Sequence, residues 1–282
     1  MFAAMSRLYP VVAVLAFLVS FAARAANPIE LPIWPGVAPG SEGHNEKEVW
    51  EERGKNGVVN RAVRQVHVPT ISAVLPEKAQ STGVAVLIAP GGSYDHVTID
   101  LEGFDIARWL ATQGIAGIVL KYRLPQTPGK IYTIDHAIAD AVQALKVVRE
   151  HAAEWNIDPA KIGMMGFSAG GNLTALTGTK PPKAERPAFL APIYPFNITE
   201  SFGPVPDDVA PIFLAQASDD RFGPENAMRL YTWVHAKRVP AELHLFASGG
   251  HGFGLGRPGT PAAEWPKLFV AWLKARKILA AE

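Results

Sequence analysis

A serine flanked by glycines is the first feature of this sequence with the residue types for covalent catalysis. Gly166-Phe167-Ser168-Ala169-Gly170 lies between a short apolar run, residues 161–165, and a stretch that can begin a helix, residues 171–177. A sharp strand-to-helix turn would lift the serine oxygen out of a sheet, and flanking glycines remove the Cβ atoms that would clash there. The pattern predicts that Ser168 is a nucleophile, which needs a nearby base to take its proton.

A base and an orienting acid follow in the chain order serine, acid, histidine, one of the known orders for such a triad. His251 lies in a glycine-rich loop, residues 248–254, after the last predicted strand. Asp219 and Asp220 directly follow the apolar run 211–215. We expect His251 to be the general base and Asp219, which leaves the strand first, to orient it; Asp220 is the alternative.

A second glycine-rich loop supplies candidate donors for the oxyanion that forms when a serine attacks an acyl carbonyl. The apolar run 84–89 predicts a buried strand, and a double glycine follows it upstream of Ser168. We expect the backbone amides of Gly92 and Ser93, together with that of Ala169, to form this oxyanion hole, where losing one donor typically costs on the order of 10²–10³ in turnover.

Polar residues after this loop are candidates for substrate contact. Tyr94 and Asp95 follow the predicted oxyanion donors and are expected to line the pocket. A serine, a histidine and an acid supply the nucleophile, the base and its orientation, so no metal and no organic cofactor is predicted. The sequence has no cysteine, which excludes a thiolate metal site and a disulfide framework.

Strand-like and helix-like segments alternate along the chain, which predicts an α/β fold with a mostly parallel central sheet and helices on both of its faces. Strands are predicted at 84–89, 115–121, 161–165, 189–194, 212–215 and 242–246, and helices at 103–113, 131–155, 224–238 and 261–279. Residues 63–75 alternate apolar and polar side chains and predict an antiparallel edge strand. The short connection from Tyr194 to Pro211 leaves no room for a large cap domain, so we expect an open site.

The first 25 residues have the pattern of a secretory signal peptide. Arg7 precedes an apolar run, residues 9–21, and Ala23-Arg24-Ala25 is a small-x-small cleavage site. The run is shorter than the roughly 20 residues that a membrane span needs. We expect cleavage after Ala25 and a secreted or periplasmic protein with no stable membrane insertion, an N-terminal arm over residues 26–60, and a catalytic domain over residues 61–282.

Charge argues against a polyanionic partner. The 27 basic residues nearly match the 26 acidic ones, which gives a formal net charge of +1. Nothing electrostatic therefore points to nucleic acid, and a small-molecule or polysaccharide ester remains the expected partner.

Several short segments together resemble the bacterial acetyl-xylan and feruloyl esterase group of α/β-hydrolases. These segments are residues 31–40, 88–94, 102–104, 120–125, 166–170, 218–220 and 249–254. The resemblance implies the α/β-hydrolase fold and a serine esterase that works through an acyl-enzyme on acetyl or other short acyl groups of carbohydrates such as xylan. The sequence departs from that group where Arg221-Phe222-Gly223 replaces a small apolar turn, and from the H-G-G-G loop of related esterases at Pro90 and Ser93.

Other functions are compatible with the same catalytic residues. A serine peptidase of the prolyl-oligopeptidase type shares the serine, acid and histidine, although it usually carries a propeller or large cap. Acyl transfer to a sugar or lipid alcohol would use the same residues. A non-catalytic binding protein that retains the fold is the alternative from a different class.

Overall fold

The computed structural model describes residues 28–54 and 58–280. The predicted signal peptide, residues 1–25 with its cleavage site after Ala25, lies outside these residues. Within the described ranges, no helix combines the length and apolar character needed to cross a bilayer.

An eight-stranded sheet forms the centre of the fold. The strands are β1 Ile29–Pro32, β2 Val49–Glu52, β3 Arg61–Arg64, β4 Thr70–Val74, β5 Ala85–Ala89, β6 Ala116–Lys121, β7 Ile162–Phe167, β8 Leu190–Ile193, β9 Ile212–Ala217 and β10 Ala241–Phe246. Their order in the central sheet is β1-β4-β6-β5-β7-β8-β9-β10. Strands β5 to β10 pair in parallel, whereas β1 and β4 are antiparallel to their neighbours. The predicted mostly parallel sheet is confirmed.

Helices cover the two faces of this sheet. They are α1 Asp105–Thr112, α2 Ile134–Glu150, α3 Ala169–Thr179, α4 Glu225–Ala236 and α5 Trp265–Ala275. Leu190 in β8 contacts α3 at Gly178 and pairs in register with Ile212, so both point to one face. The next residue, Phe213, therefore points to the other face, where it packs on Phe269 of α5.

Local sequence explains where the long helix α2 begins. The prediction of residues 131–155 was too long, because Thr133 and His136 form a capping box that starts the helix at Ile134. Buried residues at helical spacing along α2 turn one side of it toward the core.

The predicted edge strand at residues 63–75 was wrong in two respects. The chain forms two strands there, and β3 pairs with β2 in a separate two-stranded sheet. β4 is not at the edge, because β1 of the N-terminal arm pairs with it from Ile29↔Ala73 to Pro32↔Thr70. The break is visible in the sequence as the adjacent polar residues Arg64 and Gln65, where the alternation slips by one residue, and Gln65 has φ 55°.

A buried ion pair in the domain also binds a tryptophan of the N-terminal arm. Arg123 follows β6, and its guanidinium donates to both carboxylate oxygens of Asp140 in α2, with the shortest contact at 2.7 Å. Both side chains are almost fully buried. Trp34 of the arm donates its indole N–H to the same carboxylate at 2.9 Å. The arm is therefore part of the packed structure.

Candidate active site

The serine lies at a sharp reversal between β7 and α3. Ser168 has φ 53° and ψ −116°, a conformation that costs energy for a residue with a side chain. A Cβ on Gly166 would lie 2.1 Å from the carbonyl oxygen of Gly170, and one on Gly170 would lie 1.9 Å from that of Ala89. Only glycine fits at these two positions, so the predicted turn and the reason for its glycines agree with the structure.

Ser168 and His251 are in hydrogen-bond contact across 83 residues of sequence. The distance from Ser168 Oγ to His251 Nε2 is 2.8 Å, and His251 Nδ1 lies 2.7 Å from Asp220 Oδ2. An ionised carboxylate only accepts hydrogen bonds, so Nδ1–H is the donor to Asp220. Nε2 is then unprotonated and accepts the hydrogen bond of the serine hydroxyl. This tautomer is the one in which the imidazole can take the serine proton.

The acid in contact with the histidine is Asp220, and the expectation for Asp219 was wrong on this point. The Asp220 amide bonds back to the carbonyl of Ala217 at the end of β9, which forms a turn. This turn leaves Asp219 exposed at its corner and brings Asp220 back to the sheet edge, where it is buried. Asp219 instead accepts N–H bonds from Gly249 and Gly250 at 2.9 and 2.7 Å. It thus holds the loop that carries His251.

Hydrogen bonds keep Asp220 ionised in spite of its burial. Burial by itself raises the pKa of a carboxyl, but bonds from His251 and from the amide of Phe222 outweigh it, so the pKa of Asp220 lies below its ordinary value. Gln216 on β9 adds a third donor, 2.9 Å from Oδ2. The carboxylate that contacts the histidine is therefore both charged and held in place.

The predicted oxyanion loop lies against the serine. A Cβ on Gly91 would be 2.9 Å from Ser168 Cβ, which measures how closely this loop approaches. Gly92 has φ 133°, and Ser93 has φ 56°, so the loop turns sharply after Gly91. Within the described part of the chain, the amides of Gly92, Ser93 and Ala169 donate to no other protein group. These amides are available to a ligand.

The two residues predicted to contact substrate have different surroundings. Tyr94 is nearly buried, donates to Asn172 Oδ1 at 2.7 Å, and lines a cavity of about 220 Å³ beside α3. Asp95 is half exposed and forms an ion pair with Arg64 of β3. Its contact with substrate stays a prediction, because its carboxylate already binds this arginine and the His96 ring.

An aromatic pair that the sequence analysis did not assign to the site lies beside the histidine. The ring of Phe222 packs edge-to-face on His251 at 4.7 Å between centroids, and Phe196 packs on Phe222 at 5.1 Å. Phe222 is 39% exposed and so offers apolar surface next to the imidazole. The signal was present as Arg221-Phe222-Gly223, the departure from the related esterases.

Residues 28–54 and 58–280 contain no candidate metal site. No group of three or more histidine, aspartate or glutamate side chains is arranged there to hold an ion.

Comparison with known proteins gives a family and a fold. A family model described as BD-FAE matches residues 72–234, more than half of the chain. The acetylxylan esterase of Xylanibacter ruminicola is 31% identical over 213 residues, which are 64% of this chain and 43% of that protein. The endo-1,4-beta-xylanase B of Butyrivibrio fibrisolvens is 24% identical over 204 residues, 59% of this chain and 32% of that protein. The chain thus spans less than half the length of these relatives.

Solved structures with the same fold cover most of the chain. An acetyl ester-xyloside bifunctional hydrolase from Caldicellulosiruptor lactoaceticus has a TM-score of 0.67 at 25% identity, over 92% of this chain and 100% of that one. An alpha/beta hydrolase from a Medee basin deep-sea metagenome has a TM-score of 0.66 at 26% identity, over 77% and 96%. The fold is that of the α/β-hydrolases, and the chain belongs to the BD-FAE family.

Proposed function

We propose that this protein is an exported serine esterase that removes acetyl or other short acyl groups from carbohydrate esters such as xylan. The observation that supports it best is the unbroken hydrogen-bond chain from Ser168 through His251 to Asp220, with free amides beside the serine. Export rests on the predicted signal peptide at residues 1–25.

The first half of the reaction forms an acyl-enzyme. Ser168 Oγ attacks the acyl carbonyl carbon while His251 Nε2 takes its proton, and the carbonyl electrons move to oxygen. The amides of Gly92, Ser93 and Ala169 donate hydrogen bonds to this oxyanion. The tetrahedral intermediate then collapses, the ester C–O bond breaks, and His251 returns the proton to the leaving alcohol.

The second half releases the acid. Water attacks the acyl-serine carbonyl and passes a proton to His251, and the serine leaves with that proton. Asp220 stays ionised throughout, because its hydrogen bonds hold its pKa below the ordinary value. It stabilises the imidazolium that exists in both tetrahedral stages.

A carbohydrate as the alcohol part is supported by similarity and by the surface next to His251. The matched relative from Xylanibacter ruminicola is an acetylxylan esterase. The leaving alcohol must lie near His251, which protonates it, and the half-exposed ring of Phe222 packs on that imidazole. An aromatic face of this kind provides apolar contact area for the C–H groups of a sugar ring.

Replacing the nucleophile tests the proposed reaction. We expect Ser168→Ala to lower kcat on p-nitrophenyl acetate by roughly 10⁵–10⁶, because no other group can form the acyl-enzyme. Release of acetate from acetylated xylan should fall with it. The measurement is initial-rate kinetics on both substrates, with circular dichroism to show that the variant is folded.

The two substrates separate the parts of this proposal. Hydrolysis of the small ester without acetate release from xylan would contradict the carbohydrate assignment and leave the serine mechanism. An active Ser168→Ala variant would contradict the mechanism itself.

The neighbouring aspartates form a matched pair for the orienting acid. We expect Asp220→Asn to lower kcat by about 10³–10⁴, because an amide in contact with Nδ1 no longer selects the required tautomer. Asp219→Asn should cause a far smaller loss, since Asp219 Oδ1 accepts from the amides of Gly249 and Gly250 and an asparagine oxygen can still do so. Steady-state kinetics on p-nitrophenyl acetate measures both, and a larger loss for Asp219→Asn would reverse the assignment.

Phe222 tests the proposed sugar contact. We expect Phe222→Ala to raise KM for acetylated xylan by about 5- to 10-fold, the effect of losing one aromatic contact. KM for p-nitrophenyl acetate, which has no sugar, should change little. Met228→Ala, an exposed apolar residue on α4, is the control. An equal effect of Phe222→Ala on both substrates would show that the ring supports His251 and does not contact sugar.

A further inference from the structure

A buried glutamate next to the candidate active site has no part in the reaction described above. Glu102 lies in the turn Asp100–Phe104, and its side chain is enclosed by protein. Burial raises the pKa of its carboxyl, while hydrogen bonds from Tyr194 and Gly91 act in the opposite direction. No lysine or arginine of the described residues forms an ion pair with it. A buried acid without a cationic partner is costly, so its position requires an explanation.

One carboxylate oxygen holds the oxyanion loop. Glu102 Oε2 accepts the N–H of Gly91 at 2.8 Å. Gly91 lies against Ser168 and directly precedes Gly92, whose amide is one of the proposed oxyanion donors. Any movement of this carboxylate therefore displaces the backbone that supplies a hydrogen-bond donor.

The other carboxylate oxygen reaches the histidine loop through a tyrosine. Tyr194 Oη lies 2.9 Å from Glu102 Oε1 and accepts the N–H of Gly254 at 3.1 Å. The tyrosine hydroxyl thus donates its own proton to Glu102 and accepts the N–H of Gly254. The Tyr194 ring also packs edge-to-face on His251, with 5.1 Å between centroids.

The turn that carries Glu102 is built against the sheet. Phe104 donates its N–H to the carbonyl of Ile99, the wider i→i+5 bond of a π-helical turn, a feature frequent at functional sites. A Cβ on Gly103 would lie 2.8 Å from the Val119 side chain of β6, so the turn is closely packed. This packing fixes where the carboxylate of Glu102 stands.

We infer that Glu102 and Tyr194 are positioning residues that set the spacing between the oxyanion loop and the loop of His251. The inference rests on the proposed esterase function of the same site. The chain Gly91–Glu102–Tyr194–Gly254 joins the group that stabilises the oxyanion to the group that moves the proton. This hydrogen-bond chain contributes in the transition state, where the oxyanion donors and His251 must act at the same time.

The test uses two variants that break the same contact. In Glu102→Gln the amide can still accept from Gly91, but its NH₂ replaces the acceptor that the Tyr194 hydroxyl requires. Tyr194→Phe removes that hydroxyl. Both variants and the double variant are assayed on p-nitrophenyl acetate, and their melting temperatures are recorded. Asp100→Asn is the matched control, because Asp100 is buried in the same turn but binds Arg61 and not the catalytic loops.

We expect each single variant to lower kcat by about 10- to 100-fold with KM changed by less than about twofold, the pattern of an interaction made in the transition state. The double variant should be no worse than the more impaired single variant, because all three lose one shared contact. Asp100→Asn should lower the melting temperature and leave kcat unchanged.

Three results would overturn the inference while the wild type hydrolyses the ester. The first is an unchanged kcat in Glu102→Gln. The second is a loss of kcat in the double variant equal to the product of the two single losses. The third is a loss of kcat that is fully explained by a smaller folded fraction of the variant. A wild type that releases no p-nitrophenol, with Ser168 that is not phosphorylated by paraoxon, would instead reject the proposed function and this inference together.

Discussion

The tight reversal at Ser168 is the constraint on which the rest of the site depends. A serine at φ 53° lies where β7, α3 and β5 pack so closely that Gly166 and Gly170 have no space for a Cβ. Its amide also bonds to the carbonyl of Ile193 in β8. The strain is maintained by neighbouring strands, so the oxygen is presented at the carboxyl edge of the sheet without a flexible loop.

Buried carboxylates with different partners complete the architecture around this reversal. Asp140 pairs with Arg123 and fastens the arm. Asp220 is charged by virtue of three donors and fixes the tautomer of His251. Glu102 accepts from two neutral donors, the amide of Gly91 and the hydroxyl of Tyr194, and so connects two loops. A buried carboxylate therefore stabilises the fold at Asp140 and positions active-site groups at Asp220 and Glu102. The hydrogen-bond donors around each carboxylate distinguish the two roles.

Much of this arrangement could be predicted from local sequence because the signals are local. The serine turn, the glycine loop before it and the histidine loop after the last strand are each specified within a few residues, and the alternating pattern predicted the parallel sheet. The choice between Asp219 and Asp220 could not be made in this way. It depends on the turn that joins Asp220 to Ala217, and on donors from Gln216 near the end of β9 and from His251 in a distant loop.

Contacts between residues far apart in the sequence also limited the prediction of strand pairing and of the positioning residues. The pairing of β1 with β4 joins segments about 40 residues apart, and an isolated strand pattern does not state its partner. Glu102 and Tyr194 lie 92 residues apart, so the contact between them has no sequence signature. Residues that position others are thus harder to find than residues that react, because their types and spacing carry no chemistry of their own.

The central claim is that Ser168 carries the acyl group, and trapping the acyl-enzyme tests it most directly. The protein is mixed rapidly with p-nitrophenyl acetate, quenched in acid, digested, and its peptides are weighed by mass spectrometry. We predict one added acetyl group on the peptide that contains Ser168, formed as fast as the first p-nitrophenol is released. An acetyl group on another residue, or continued turnover with no adduct when hydrolysis of the adduct is slowed at low temperature, would contradict the account.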